Sequence, residues 1–149
     1  MNSFFSWLSN YTDASILETD AILYPSANLK ALKKESKFVI EKGKDIFFSL
    51  VTEFKPSLII LHGKKTVDHA IDIFVSRGLI SPNTIDIEQS IEEMEQHAPL
   101  LEFNYSNGKT GVIMACRHFL YYERKGDSFE PFRRKVLEIL KRDLFHLLK

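Results

Sequence analysis

Cysteine is almost absent from this chain of 149 residues, with Cys116 standing alone. A single thiol makes no internal disulfide, and the chain by itself supports no cysteine-ligated zinc site or iron–sulfur cluster. That scarcity fits a reducing compartment, so the cytoplasm is the expected location. An excess of one charge is missing too: Lys+Arg and Asp+Glu number 20 each, and the formal net charge is zero. The simplest mark of a nucleic-acid binder, a strongly basic chain, is therefore lacking, and only a local basic face remains open. No run approaches the ~20 apolar residues of a membrane helix. The opening Met1–Leu8 has neither a basic stretch nor a long apolar segment, so neither a signal peptide nor membrane association is expected. The sequence also contains no Gly-rich phosphate loop, no GxSxG elbow and no HExxH helix.

What the chain does have is core material. Twelve Phe, five Tyr and one Trp, with 44% apolar and 27% charged residues, describe one ordinary globular domain rather than a disordered chain. Phe4, Phe5, Trp7 and Leu8 suit a short amphipathic helix capping the core. Ile16–Tyr24 reads as a strand ended by the turn Pro25-Ser26-Ala27-Asn28. Apolar spacing from Ser36 to Phe54 predicts a helix, broken by Lys55-Pro56. Ser57–His62 is a continuous β-branched-rich run, the mark of an interior, parallel strand. Gly63 turns the chain, and a helix capped by Thr66 is expected over Val67–Val75. This strand–glycine–helix unit carries an α/β fold class. Ile85–Gln96, rich in carboxylates, reads as a solvated helix on the domain edge. Leu100–Tyr105 and Gly111–Cys116 form a predicted hairpin around Asn107-Gly108. A last helix starts at Asp127, where Glu130 completes a capping-box spacing, with Phe129, Phe132, Val136, Leu140, Leu144 and Leu147 on its apolar face.

Candidate chemistry concentrates after the last strand. His118 follows that strand directly, where α/β proteins place ligand-contacting loops. Arg117, Tyr121, Tyr122 and Arg124 surround it in sequence, and such groups hold phosphates and stack on bases. The competing reading is a surface loop whose aromatics tuck onto the domain. His62 and His69 are too loosely spaced for a metal site and read as structural or surface residues, as do His97 and His146. Cys116 and His118 lie two residues apart at the end of a strand, and a Cys–His catalytic pair is not expected there.

The order of these segments resembles the uracil-DNA glycosylase superfamily over about residues 16 to 148. The matching pattern is Thr19-Asp20 with Pro25 and Asn28, then Pro56-Ser57-Leu58-Ile59-Ile60-Leu61-His62-Gly63, then Arg117-His118-Phe119. The resemblance implies a three-layer α/β sandwich with a mostly parallel central sheet, and a protein that acts on or binds nucleic acid; the clustered cysteines of the superfamily's iron–sulfur members are missing here, and no cofactor or metal is expected. It implies that His118 stabilises the charge developing on a leaving base, that Asp20 contacts the base or a water, and that Tyr24, Asn28, Gly63, Arg117 and Tyr121 contact the substrate. The departures are specific. The fifteen residues before Ile16 contain no Gly, so the superfamily's first, Gly-rich catalytic loop has no counterpart. Asp20 stands where an Asn reads the pyrimidine, and an ionised Asp offers acceptors only. Phe119 replaces a Pro. A degenerate glycosylase is therefore expected beside two alternatives, a non-catalytic module that binds protein or nucleic acid and a nucleotide-binding module.

Overall fold

The computed structural model describes residues 2–15, 37–118 and 130–149. In chain order the elements are α1 (Asn2–Ser9), α2 (Lys37–Phe54), β1 (Leu58–His62), α3 (Lys64–Ser76), α4 (Ile91–Gln96), β2 (Leu101–Asn104), β3 (Thr110–Cys116) and α5 (Glu130–Asp143), followed by a 3-10 turn over Phe145–Leu147. The strand expected over Ile16–Tyr24, its following turn and the capping pair's Asp127 lie outside the described residues.

The sheet corrects the expected architecture. Among the described residues it has three strands in the order β1-β3-β2. β1 pairs with β3 in parallel, whereas β2 pairs with β3 antiparallel. Among the described residues a small mixed sheet with five α-helices therefore replaces the mostly parallel central sheet of a three-layer sandwich. The physical reason is the hairpin, which spends one of the three strands on an antiparallel edge. Its turn is fixed locally: Gly108 adopts φ 85°, the Tyr105 N–H donates to the Lys109 carbonyl at 2.8 Å, and the Lys109 N–H donates to Asn107 Oδ1 at 3.0 Å. Asn and Gly supply this left-handed geometry at low cost.

β3, not β1, is the interior strand among the described residues, and its burial shows why its sequence does not alternate. Ile113 and Ala115 enter one apolar cluster with Phe47 and Val51 of α2 and Val67, Ile71, Ile73 and Phe74 of α3. Val112, Met114 and Cys116 enter another with Phe4 and Leu8 of α1 and Phe132, Val136, Ile139 and Leu140 of α5. Both faces of β3 are covered, so every position from Gly111 to Cys116 is buried. Each large apolar side chain so buried contributes about 1.5–3 kcal/mol. The same two-sided covering explains the unbroken apolar run of β1, where Leu61 and Ile59 join the first cluster while Leu58 and Ile60 join the second.

Helix limits differ from expectation in three places, the first being α5, which ends at Asp143 so that Leu144 and Leu147 of its expected apolar face lie beyond it. α3 begins at Lys64, not Val67, because Gly63 rather than Thr66 stands at its N-cap. The acidic segment is helical only over Ile91–Gln96, where Ser90 accepts from the Glu93 N–H and the Glu93 carboxylate returns to the Ser90 hydroxyl. That local cap starts a new helix at Ser90 and stops the longer one predicted from Ile85. The segment after α1 is tied to the end of the chain: the Thr12 hydroxyl donates to the Leu147 carbonyl, and the Lys149 N–H donates to Tyr11 O at 2.9 Å. No described helix is long and apolar enough to cross a membrane.

Candidate functional site

Parallel pairing makes β1 and β3 end side by side, with His62 opposite Cys116. One residue further, the Gly63 N–H donates to the Cys116 carbonyl at 2.8 Å and holds the two chains together as they leave the sheet. Gly63 then turns into α3 with φ 96° and ψ 141°, a conformation that strains any L side chain. Space is not the constraint, since a Cβ there would sit 3.5 Å from His118 Cδ2, an ordinary contact. Gly63 therefore lets the chain turn while His118 from the other strand packs beside it.

The result is a pair of imidazoles. The rings of His62 and His118 meet edge to face, with centroids 4.8 Å apart. His62 is half-buried and His118 is exposed. The first backbone N–H groups of α3 begin at the adjoining Lys64, and Gly63 has no side chain with which to cap them. Lys64 is committed, because its ammonium donates to Asp68 Oδ1 and to the Ile87 carbonyl, both at 2.6 Å, pinning the 81–90 loop to the start of α3. Lys65 is exposed.

Arg117, between Cys116 and His118, is held from below by α4. Its backbone N–H donates to Glu95 Oε1 at 3.1 Å and its Nε donates to Glu95 Oε2 at 3.2 Å. Nη2 also lies 3.2 Å from Oε2, and both side chains are largely buried, with 20% and 12% of their surface exposed. A carboxylate that engages both the backbone and the guanidinium fixes the strand's exit geometry. Arg117 thus anchors the chain that presents His118, with its charge balanced by Glu95. Cys116 supplies no nucleophile here, since it is fully buried and burial pushes its thiol well above the ordinary range.

Of the residues singled out in sequence, the structure brings Gly63, Arg117 and His118 together at one end of the sheet. Asp20, Tyr24, Asn28 and Tyr121 lie outside the described residues. Two residues of this corner were not anticipated. The spacing of His62 alone marks it as structural or surface, and its place at a strand end before a glycine is the signal that points further. In sequence Glu95 belongs to a solvated acidic face, and nothing local separates it from its acidic neighbours. Among the described residues no three His, Cys, Asp or Glu side chains gather as a metal-ion site.

A cleft of about 280 Å³ opens at the opposite end of the sheet, between Phe48, Lys55, Arg77, Leu79 and Tyr105. Its cations are engaged: the Lys55 ammonium donates to the Thr52 carbonyl at 2.7 Å and Arg77 pairs with Asp45 at 2.6 Å. At the histidine corner the exposed His118 ring lies beside the turn that starts α3, whose N-cap Gly63 makes no side-chain capping hydrogen bond. Compared with known proteins, the chain matches no family model, no curated protein and no solved structure.

Proposed function

We propose that this protein binds a phosphate-bearing ligand, a nucleotide or a nucleic-acid strand, at the corner built by His62, Gly63 and His118. The single observation that carries this reading is the imidazole pair, 4.8 Å between centroids, set where two parallel strands end and a helix begins. Open α/β sheets bind ligands at such carboxyl ends, and protonated imidazole and helix N–H groups both complement an anion. The balance of charge across the chain then means that attraction comes from this corner and not from a general basic surface. Direct titration with uridine 5′-monophosphate and with a labelled single-stranded oligonucleotide tests the reading. One charge-assisted hydrogen bond contributes about 1.5–3 kcal/mol, so His118→Ala should weaken binding roughly 10- to 100-fold. Equal affinity of wild type and His118→Ala would refute the assignment.

A second reading, cleavage of an N-glycosidic bond to uracil, is favoured by one feature. Gly63 and His118 come from separate stretches of the glycosylase-like pattern, and a Cβ on Gly63 would lie 3.5 Å from the His118 ring. In that reading His118 donates to the leaving base. Incubation with uracil-containing oligonucleotides followed by alkali tests it. Scission lost in His118→Ala supports base release, and intact strands at protein concentrations above the DNA reject it.

A further inference from the structure

We infer that the segment from Ile87 to Glu95 is a brace that holds the two strand exits of the histidine corner at a fixed spacing, and that the side chains of Lys64 and Glu95, its two anchors, are positioning residues for that corner. The inference rests on the reading of this corner as the binding site and names what keeps the site in shape.

The segment is joined to both exits. Beyond β1, the Lys64 ammonium, one residue after Gly63, donates to the Ile87 carbonyl at 2.6 Å. Beyond β3, Glu95 accepts from the Arg117 backbone N–H at 3.1 Å and from its Nε at 3.2 Å, one residue before His118. Each anchor therefore acts next to Gly63 or His118, the residues that pack together at the corner. Between the anchors the segment is stiff. The Asp86 carboxylate accepts from the Glu88 N–H at 3.0 Å, and the Asp86 carbonyl accepts from the Gln89 N–H at 3.3 Å. The Ser90 hydroxyl then caps α4 by accepting from the Glu93 N–H at 3.2 Å. Met94, fully buried in the cluster that also holds Ile113 and Ala115 of β3, fastens α4 to the sheet. A stiff segment fixed at both ends transmits a constraint that a flexible loop would lose to its own conformational freedom. The exits are also tied directly by the Gly63 N–H and the Cys116 carbonyl, a neutral hydrogen bond at 2.8 Å. The brace adds charge-assisted contacts on either side of it, and those are the stronger kind. A ligand that touches both exits gains from having their spacing set in advance.

Amide hydrogen exchange of the full chain, read residue by residue by nuclear magnetic resonance without ligand, tests the brace. Two amides of the same β1–β3 pairing serve as reporters. The Gly63 N–H is bonded at the corner, and the Val112 N–H is bonded to the Ser57 carbonyl at 2.9 Å at the far end. Lys64→Met and Glu95→Gln should each speed Gly63 exchange about tenfold relative to Val112, the size expected for losing one charge-assisted hydrogen bond. Lys64→Arg keeps a donor for Ile87 and should restore the wild-type ratio. Combining Lys64→Met with Glu95→Gln should add less than about twofold to the worse single variant, because a brace released at one end no longer holds the other. A loss of general stability speeds both amides alike. An unchanged ratio in both single variants therefore overturns the brace, as does a combined effect equal to the product of the two. If Glu95→Gln fails to fold, the ratio in Lys64→Met decides alone. Titration of the same variants with uridine 5′-monophosphate separates the brace from the binding site. A raised ratio with weakened binding supports the positioning role, and a raised ratio with wild-type affinity overturns it. A raised ratio in a protein whose wild type binds no ligand leaves the brace standing and overturns the phosphate site.

Discussion

Replacing Glu95 with Ala removes a carboxylate that holds the exit of β3. Its loss strips the Arg117 backbone N–H of an acceptor at 3.1 Å and leaves the guanidinium without the partner at 3.2 Å. Removing one member of a fully buried ion pair costs about 3–5 kcal/mol. Here the two side chains keep 20% and 12% of their surface, so water softens the penalty, and about 2–4 kcal/mol is expected. For a chain of this size that corresponds to a fall in Tm of roughly 5–15 °C. Urea unfolding followed by circular dichroism should show a lower midpoint with an unchanged slope. Glu88→Ala, an exposed carboxylate before the same helix, should stay within about 0.5 kcal/mol of wild type. Equal stability of Glu95→Ala and Glu88→Ala would refute the claim that Glu95 clamps this loop.

Three further outcomes follow from the packing and the titrating groups. A Cβ on Gly111 would lie 2.5 Å from Phe103 Cζ and 2.8 Å from Cε1, so Gly111→Ala should destabilise by about 1–3 kcal/mol despite alanine's smaller backbone entropy cost, as read by thermal unfolding. Cys116 is buried with its thiol raised by burial, so at pH 8 a disulfide reagent should label it at the rate of unfolding and rapidly only in urea; fast labelling of the native protein would contradict the structure. Burial, with Lys44 adding to it, holds His69 below the usual histidine value. A group depressed in the folded state stabilises fully above its unfolded value and loses that contribution as pH falls through the folded one. Stability should therefore drop from about pH 6.5 downward, less steeply in His69→Gln, as measured by urea midpoints at pH 7.5 and 5.5.

Much of this fold was legible because its signals are local. The Asn107-Gly108 turn, the break at Lys55-Pro56 and the glycine after His62 each act within a few residues, and each marks the junction it predicts. The two-sided burial of β3 was legible as an unbroken apolar run. What the same run does not encode is neighbour order. Ser57–His62 reads like an interior strand because helices cover both its faces, yet among the described residues it lies at the edge. The inference of a mostly parallel sheet failed for a related reason: strand existence is local, but pairing direction around β2 depends on a hairpin closing one edge. The candidate site was half legible. His118 and Gly63 follow strand ends and announce themselves, whereas His62 gains its interest only from the parallel register that sets it beside β3. Glu95 was invisible, since its burial comes from Arg117, 22 residues away. The Ser90–Glu93 pair that caps its helix has capping-box spacing in the sequence.

The most direct test of the account is a titration of the isotope-labelled protein with uridine 5′-monophosphate, followed by backbone amide and imidazole resonances. The account predicts the largest shifts at His62, Gly63, Lys64, Lys65 and His118, with the cleft near Lys55 and Arg77 unmoved. Shifts confined to that opposite cleft, or none at millimolar ligand, would contradict the assignment of the histidine corner as the binding site.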